Sequence, residues 1–145
     1  MKYFIGTDHA GFEVKEFVIS LLQKRGVEVE DLGCYSSDRV DYPDYAHKVA
    51  EAVAQNPGSM GILICGTGIG MSLSANKHRG IRAALCHDHY TASMARRHNN
   101  ANILCFGARV VGKGEIESIL EGWFGSQFEG GRHTQRVEKI ESFEK

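Results

Sequence analysis

The sequence predicts one α/β domain over residues 1–145, a Rossmann-like three-layer α/β/α sandwich around a five-stranded parallel sheet. Short apolar segments typical of buried strands alternate five times with segments of helical periodicity. Strict alternation favours right-handed crossovers, which place helices on both faces of a parallel sheet. A length of 145 residues suits a single domain with its own hydrophobic core.

The first half of the chain predicts two strands and two helices. Apolar side chains recur at helical spacing after the first strand, and Gly26 ends that helix where glycine is favoured. The second strand alternates apolar and polar residues, as an edge strand does. Pro43 suits the first turn of the next helix. The predicted elements are a strand over 3–7, an exit turn over 8–11, a helix over 12–25, a strand over 27–32, a polar loop over 33–43 and a second helix, which residues 56–58 terminate.

The second half predicts three further strands, each followed by a helix. The third strand ends at Cys65, and three alternating glycines follow it before the next helix. The apolar positions near the end of the chain mark a well-patterned helix and then a short last one. The predicted elements are strands over 61–65, 81–86 and 102–106, helices from the glycine loop to about 77, from about 88 to 98 and around 116–124, and a last helix around 137–140.

Composition and charge exclude several classes of function. Formal net charge is −1, with 17 Lys and Arg against 18 Asp and Glu, so bulk charge does not favour nucleic acid or a membrane surface as partner. No apolar run approaches the roughly 18 residues of a membrane span. The four cysteines lie 31, 21 and 19 residues apart without a C-x-x-C pair, which suits no zinc module. We therefore expect reduced thiols in a cytoplasmic protein without a signal peptide.

Candidate functional residues follow the predicted strands at their carboxyl ends, where open α/β sheets bind ligands. The glycine loop is the most informative of them. Gly66, Gly68 and Gly70 do not match the dinucleotide fingerprint, and no lysine or arginine follows to make a P-loop or a cysteine phosphatase loop. The loop is therefore predicted to hold an anion such as an enediolate through backbone N–H groups. The residues at the strand ends are Asp8 and His9, Cys65 with its loop, His87 to His89, and Arg109.

Two residues of the glycine loop allow more than one interpretation. Cys65 precedes a helix N-terminus, which favours a reactive thiolate that moves a proton, but a buried and inert thiol is about equally consistent with the sequence. Thr67 can donate a hydrogen bond to a substrate oxygen or cap the helix, and propensity favours the cap.

Residues outside the loop are also ambiguous. Arg132 and Arg136 share a helix face at i, i+4 and suit a phosphate, although a solvated tail explains them as well. His87 and His89 have metal-ligand spacing without an evident third ligand, so we expect no metal. His98 ends a helix that runs back against the strands, which places it at the edge of the sheet opposite Cys65. It is therefore expected either to serve a neighbouring subunit or simply to end the helix.

Seven stretches together identify a family. The chain resembles the RpiB/LacA/LacB sugar-phosphate isomerases over essentially its whole length, and the glycine loop combined with the Gly-Gly-Arg-His tail is the specific part. The matching stretches are Gly6-Thr7-Asp8-His9-Ala10-Gly11-Phe12, Asp41-Tyr42-Pro43, Gly61-Ile62-Leu63-Ile64-Cys65-Gly66-Thr67-Gly68-Ile69-Gly70, Ala75-Asn76-Lys77, Arg96-Arg97-His98-Asn99, Phe106-Gly107-Ala108-Arg109-Val110 and Glu129-Gly130-Gly131-Arg132-His133.

The resemblance implies an aldose–ketose isomerase that interconverts ribose 5-phosphate and ribulose 5-phosphate through a cis-enediolate, without metal, nucleotide or other cofactor. It implies catalytic, sugar-binding and phosphate-binding residues. The catalytic residues are Cys65 as the base, with Thr67 and His98 for ring opening; the substrate-binding residues are Asp8, His9, Tyr42, Gly66, Gly68, Gly70 and Asn99; and the phosphate-binding residues are His9, Arg109, Arg132 and Arg136.

The resemblance also implies assembly. Members form homodimers, often paired into tetramers, with sites shared between subunits, so the segment 130–145 is expected to complete the site or the dimer. Because the loop carries no cation, the phosphate is expected at the other end of the substrate, near Arg109 and the Arg132 to Arg136 cluster, which are expected to be distant from the loop. Two alternatives stay open: an isomerase of a hexose 6-phosphate of the allose or galactose type, and a non-catalytic module that binds a phosphorylated ligand.

Overall fold

The computed structural model describes residues 1–144 and consists of five strands and six helices that alternate through most of the chain. Lys145, the last residue of the predicted C-terminal segment, lies outside the described residues. The elements are β1 Lys2–Thr7, α1 His9–Lys24, β2 Glu28–Asp31, α2 Tyr42–Gln55, β3 Met60–Cys65, α3 Ile69–Ala75, β4 Ala83–Leu85, α4 His89–Arg97, β5 Ile103–Gly107, α5 Lys113–Phe124 and α6 Arg132–Glu141.

All strand pairs are parallel, and two hydrophobic cores cover the two faces of the sheet. Alternate side chains of β1, β3 and β5 pack against α1, α4 and α5 on one face and against α2 and α3 on the other. The predicted α/β fold with a five-stranded parallel sheet is confirmed. Among residues 1–144, no helix combines the length and apolar character needed to cross a membrane.

The strand order β2-β1-β3-β5-β4 places β1 and β3 side by side at the centre of the sheet. The chain moves outward from β1 to β2 and then crosses back over β1 to β3, so the direction of winding changes between β1 and β3. Ligands bind in open α/β sheets beyond such a point. The carboxyl ends of the two strands are in register, with Thr7 beside Ile64, so the residues after them share one edge of the sheet.

The N-terminal boundary of α1 differs from the sequence prediction. The residues 8–11, predicted as an exit turn, lead directly into the helix, which begins at His9. The Asp8 side chain caps the helix, because its Oδ1 accepts hydrogen bonds from the N–H groups of Ala10 at 3.0 Å and Gly11 at 2.9 Å. Gly11 allows this turn to lie against β3: a Cβ there would be 2.2 Å from the carbonyl oxygen of Ile64.

Gly11→Ala is expected to destabilise the protein, because the new methyl group collides with the backbone of β3 just before Cys65. The expected loss in free energy of unfolding is about 1–3 kcal/mol or more, as for overpacked cores. Gly114→Ala is the matched control, since a Cβ there meets nothing within 4 Å. That control should be neutral or slightly stabilising through helix propensity. Urea unfolding measures both, and equal stability of the two variants would contradict the packing argument.

Candidate active site

Cys65 is the last residue of β3 and starts the glycine loop. Its side chain is buried, and its Sγ accepts a hydrogen bond from the N–H of Gly68 at 3.1 Å. The hydroxyl of Thr67 accepts from the N–H of Ile69 at 3.2 Å, at the first position of α3. The loop therefore folds back over its own thiol. Thr67 makes a cap-like contact in this state, as its propensity predicts.

The loop backbone lies in close contact with the end of β5. A Cβ at Gly107 would stand 2.6 Å from backbone atoms of Thr67, and a Cβ at Gly68 would stand 2.8 Å from the carbonyl carbon of Phe106. Gly68 also has φ +80°, in the left-handed region that favours glycine. Both glycines are therefore required by packing, whatever ligand the loop holds.

Tyr42 and Arg109 flank the loop on two sides. The Tyr42 ring covers Gly70, where a Cβ would lie 2.3 Å from ring atom Cε1. The Arg109 N–H donates to the carbonyl of Gly66 at 3.0 Å, and a Cβ at Gly66 would be 3.6 Å from Cδ of Arg109. The expectation that Arg109 stands away from the loop is wrong, because the turn after β5 brings it back beside β3. The loop thus has a neighbouring cation that its own sequence lacks.

Asp8 and His9 follow β1 at the same edge. The Asp8 N–H donates to the carbonyl of Ile64 at 3.2 Å, which fixes it beside the end of β3. The carboxylate is buried, and both of its cap hydrogen bonds go to Oδ1. His9 Nδ1 accepts from the N–H of Val40 at 3.3 Å, so the ring also orients the loop that precedes α2. Both residues therefore have structural contacts as well as a position at the candidate site.

A second group of candidate residues lies at the opposite, amino edge of the sheet. Because β4 and β5 are parallel, α4 runs back from the carboxyl edge, and His98 follows its last residue. β5 then begins at Ile103, which pairs with Gly61 near the start of β3. From Gly61 to Cys65 the strand advances four residues. At about 3.3 Å per residue, the two edges are therefore about 13 Å apart along the strands. His98 stacks on His133 of α6, with ring centroids 4.1 Å apart and planes at 12°, so the start of α6 lies at this edge too.

Asn99 lies beside the amino edge, in a cavity of about 460 Å³ along β4. Ile140 and Phe143 line the same cavity and are exposed. The structure therefore divides the predicted site residues into two groups. At the carboxyl edge lie Asp8, His9, Tyr42, Cys65, Gly66, Thr67, Gly68, Gly70 and Arg109, and near the amino edge lie His98, Asn99, Arg132 and Arg136.

Glu129 and His133 belong to the surroundings of His98, and the sequence analysis assigns neither a role. Arg97 Nε donates to Glu129 Oε2 at 2.6 Å, which lowers the pKa of the carboxyl, and the two histidines lower it further. Burial lowers the pKa of the His133 imidazole, as do the neighbouring charges of His98 and Arg132. Both residues lie within the Glu-Gly-Gly-Arg-His stretch, which was the available signal.

The thiols of Cys86 and Cys105 and the carboxylate of Asp88 have structural surroundings. Burial raises the pKa of the Cys86 thiol to about 12, and burial raises that of Cys105 well above its usual value, so both stay protonated at neutral pH. The Asp88 side chain accepts from the N–H of Thr91 at 2.7 Å and caps α4. Within residues 1–144, His87 and His89 join no group of three possible metal ligands.

Comparisons with known proteins identify the family of the chain. Residues 3–140 match the model of the ribose/galactose isomerase family. The chain belongs to this family. It is 52% identical over 143 residues to ribose-5-phosphate isomerase B of Escherichia coli strain K12, with 99% of this chain and 96% of that protein covered.

Solved structures show the same likeness. A ribose-5-phosphate isomerase B from Clostridium thermocellum superimposes with a TM-score of 0.95 at 50% identity, covering 98% of this chain and 96% of that one. A Mycoplasma genitalium ribose-5-phosphate isomerase B with bound ribulose-5-phosphate gives a TM-score of 0.94 at 42% identity, covering 98% and 95%. The fold of these enzymes is therefore the fold of this chain.

Proposed function

We propose that the chain is an aldose–ketose isomerase that interconverts ribose 5-phosphate and ribulose 5-phosphate. One observation carries the proposal: the Cys65 thiol lies under a glycine loop at the carboxyl edge of the sheet, in a chain of the ribose/galactose isomerase family. The relative solved with ribulose-5-phosphate bound supports this substrate, because its fold matches almost the whole chain.

The proposed chemistry is a proton transfer between two carbons. Cys65, as thiolate, takes the proton from C2 of the open-chain aldose, and the electrons of that C–H bond form the C1–C2 double bond. The π electrons of the C1 carbonyl move onto its oxygen, which gives a cis-enediolate. A proton passes from the oxygen on C2 to the oxygen on C1, and the thiol returns its proton to C1, which leaves a ketone at C2. No electron acceptor or cofactor takes part.

The glycine loop supplies donors for the enediolate oxygens. The N–H of Gly70 lies in the first turn of α3, where a helix leaves N–H groups without intrahelical partners. Backbone donors aimed at a developing oxyanion contribute about 2.7–4 kcal/mol each in known cases. The N–H of Gly68 donates to the sulfur, so it stabilises the base rather than the oxyanion.

Ring opening and phosphate binding are assigned to other residues. His98 and Thr67 transfer the proton from the C1 hydroxyl to the ring oxygen before isomerisation begins. The phosphate is held by His9, Arg109, Arg132 and Arg136, since guanidinium forks bind phosphate through paired charge-assisted hydrogen bonds. Arg132 and Arg136 share one exposed face of α6, which supports a joint contact.

We infer that the site is shared between two copies of the chain. Within one chain the candidate residues stand at opposite edges of the sheet, about 13 Å apart by strand rise. A homodimer, or a tetramer of such dimers, joins the carboxyl edge of one copy to the amino edge of its partner. The exposed apolar side chains of Tyr42, Ile69 and Leu73 flank the glycine loop and suit a surface that a partner covers.

Cys65→Ala is expected to lower kcat for ribose 5-phosphate by about 10²-fold or more, because general acid–base catalysis contributes about 10²–10⁴-fold. Cys86→Ala is the matched control: it also removes a buried thiol near a strand end, but one that packs in the core on the other face of the sheet from Cys65. A coupled assay for ribulose 5-phosphate measures both. Retained turnover in Cys65→Ala would refute the thiol base. A larger kcat/KM for allose 6-phosphate or galactose 6-phosphate would refute the pentose assignment.

Arg136→Ala is expected to raise KM for ribose 5-phosphate about 10- to 150-fold, since charge-assisted hydrogen bonds contribute about 1.5–3 kcal/mol. The value of kcat should change less, because the phosphate is remote from the reacting carbons. Lys24→Ala removes an equal charge at the exposed end of α1 and controls for net charge. An unchanged KM in Arg136→Ala would remove this residue from the phosphate site.

Hybrids of two inactive variants test the shared site. Cys65→Ala and His98→Ala chains, unfolded together and refolded as a mixture, should regain activity, because one site of each hybrid dimer then receives both intact residues. Mixtures of either variant with itself are the controls. Native mass spectrometry reports whether hybrids form. Hybrids that form without any gain in kcat would place Cys65 and His98 in the same subunit.

A further inference from the structure

Three potential ligand atoms converge at the amino edge of the sheet. His98 follows α4, Glu129 lies in the connection after α5, and His133 is in the first turn of α6. Their ligand atoms all lie within 4.8 Å of one another. Glu129 Oε1 is 3.7 Å from His98 Nε2 and 3.6 Å from His133 Nε2. Both distances exceed those of hydrogen bonds, so Glu129 Oε1 lies close to both ring nitrogens without a hydrogen bond to either.

The spacing suits a shared cation better than a hydrogen bond. Zinc bonds to imidazole nitrogen and carboxylate oxygen are about 2.0–2.2 Å long, so neighbouring ligand atoms of a tetrahedral site lie about 3.4 Å apart. The two measured separations to Glu129 are only 0.2–0.3 Å longer. The stacked rings must turn for both nitrogens to face one ion. His98 can do so, because its side chain is 35% exposed and the last histidine torsion is soft.

The carboxylate is held in place from behind. Arg97 Nε donates to Oε2 of Glu129 at 2.6 Å, and the Glu129 N–H donates to the carbonyl of Arg97 at 3.0 Å. These two contacts leave Oε1 directed at the histidines. Such outer contacts orient metal ligands and raise affinity. The nearby guanidinium groups of Arg97 and Arg132 oppose a further cation, so we expect reversible binding rather than the tight hold of a structural zinc site.

We propose that His98, Glu129 and His133 form a binding site for a divalent transition-metal ion of the zinc class, and that an ion held there inhibits isomerisation. Two imidazoles and one carboxylate suit Zn²⁺ or Co²⁺, with a fourth position left to water. The inhibitory part depends on the proposed function, because the ion engages the His98 imidazole, which is proposed to open the sugar ring. The site is a point of control and not a requirement for the reaction.

Two other histidine pairs serve as internal comparisons. His47 Nδ1 and His78 Nε2 are 2.7 Å apart and already bonded to each other, which leaves no space for an ion between them. His87 and His89 have the sequence spacing of ligands but belong to no cluster of three within the described residues. The double variant His87→Gln/His89→Gln therefore removes two imidazoles without touching the proposed site.

Cobalt titration of the untagged, chelator-treated oligomer tests the binding. Co²⁺ should bind at one ion per chain with the visible absorption of tetrahedral coordination and without the near-ultraviolet band of a cobalt–thiolate bond. Zn²⁺ should displace it. Glu129→Gln and His133→Gln should each weaken binding at least about tenfold, as losses around metal sites do, whereas His87→Gln/His89→Gln should bind normally. Glu129 is exposed, so its variant tests the site even if the buried His133 change impairs folding.

Activity assays test the inhibition. Zn²⁺ should inhibit turnover of ribose 5-phosphate by the wild type and by His87→Gln/His89→Gln at matching concentrations, and EDTA should restore it. Binding that survives in both Glu129→Gln and His133→Gln, or that shows a thiolate band, overturns the site. Occupied protein that turns over at the full rate overturns the inhibition. Absence of turnover in metal-free wild type instead contradicts the proposed function, while the absorption titration still decides whether the site exists.

Discussion

The close contact between the glycine loop and the end of β5 is the constraint on which the candidate site depends. Gly68 and Gly107 lie where a side chain would meet backbone atoms at less than 3 Å. Because neither carries one, the loop turns tightly enough for the N–H of Gly68 to reach the Cys65 sulfur. The same contact brings the turn after β5 beside the loop, and Arg109 with it. The Cys65 thiol therefore lies close to the loop N–H groups and to Arg109. This is possible because Gly68 and Gly107 have no side chains.

Parallel strands impose a second constraint, which divides the functional groups. Every crossover helix must return to the amino edge, so residues that end a helix stand a strand length away from residues that end a strand. Cys65 ends β3 and His98 ends α4, and no rotation of a side chain closes about 13 Å. In the proposed dimer, a second copy of the chain brings the two residues together. Assembly is then part of the proposed chemistry and not only a source of stability.

The surroundings of His98 show how one set of residues can have two roles. His133 stacks on His98, and Glu129 faces both rings while Arg97 holds its other oxygen. The arrangement that would orient the His98 imidazole for the proposed proton transfer also gathers ligand atoms at nearly metal-binding distance. The proposed metal site follows from this density of nitrogen and oxygen atoms and needs no residue outside the cluster.

The sequence by itself determined the alternation of strands and helices, the amphipathic faces and the glycine loop after Cys65. These are local properties, because periodicity and turn residues act within a few positions of the chain. Even locally, the start of α1 was missed: the cap at Asp8 is a local contact typical of its residue type, whereas the close approach at Gly11 depends on contact with β3. Relationships over longer separations could not be obtained in this way.

Only the tertiary structure decided the strand order, with β5 between β3 and β4, because each strand pattern fits several neighbours equally well. That order places Arg109 against Gly66, although the two are far apart in the sequence. It also brings Glu129, in the connection after α5, and His133, in the first turn of α6, to His98 at the end of α4. Such contacts depend on how whole helices and strands pack, and the local sequence around each residue does not indicate which residue it will contact.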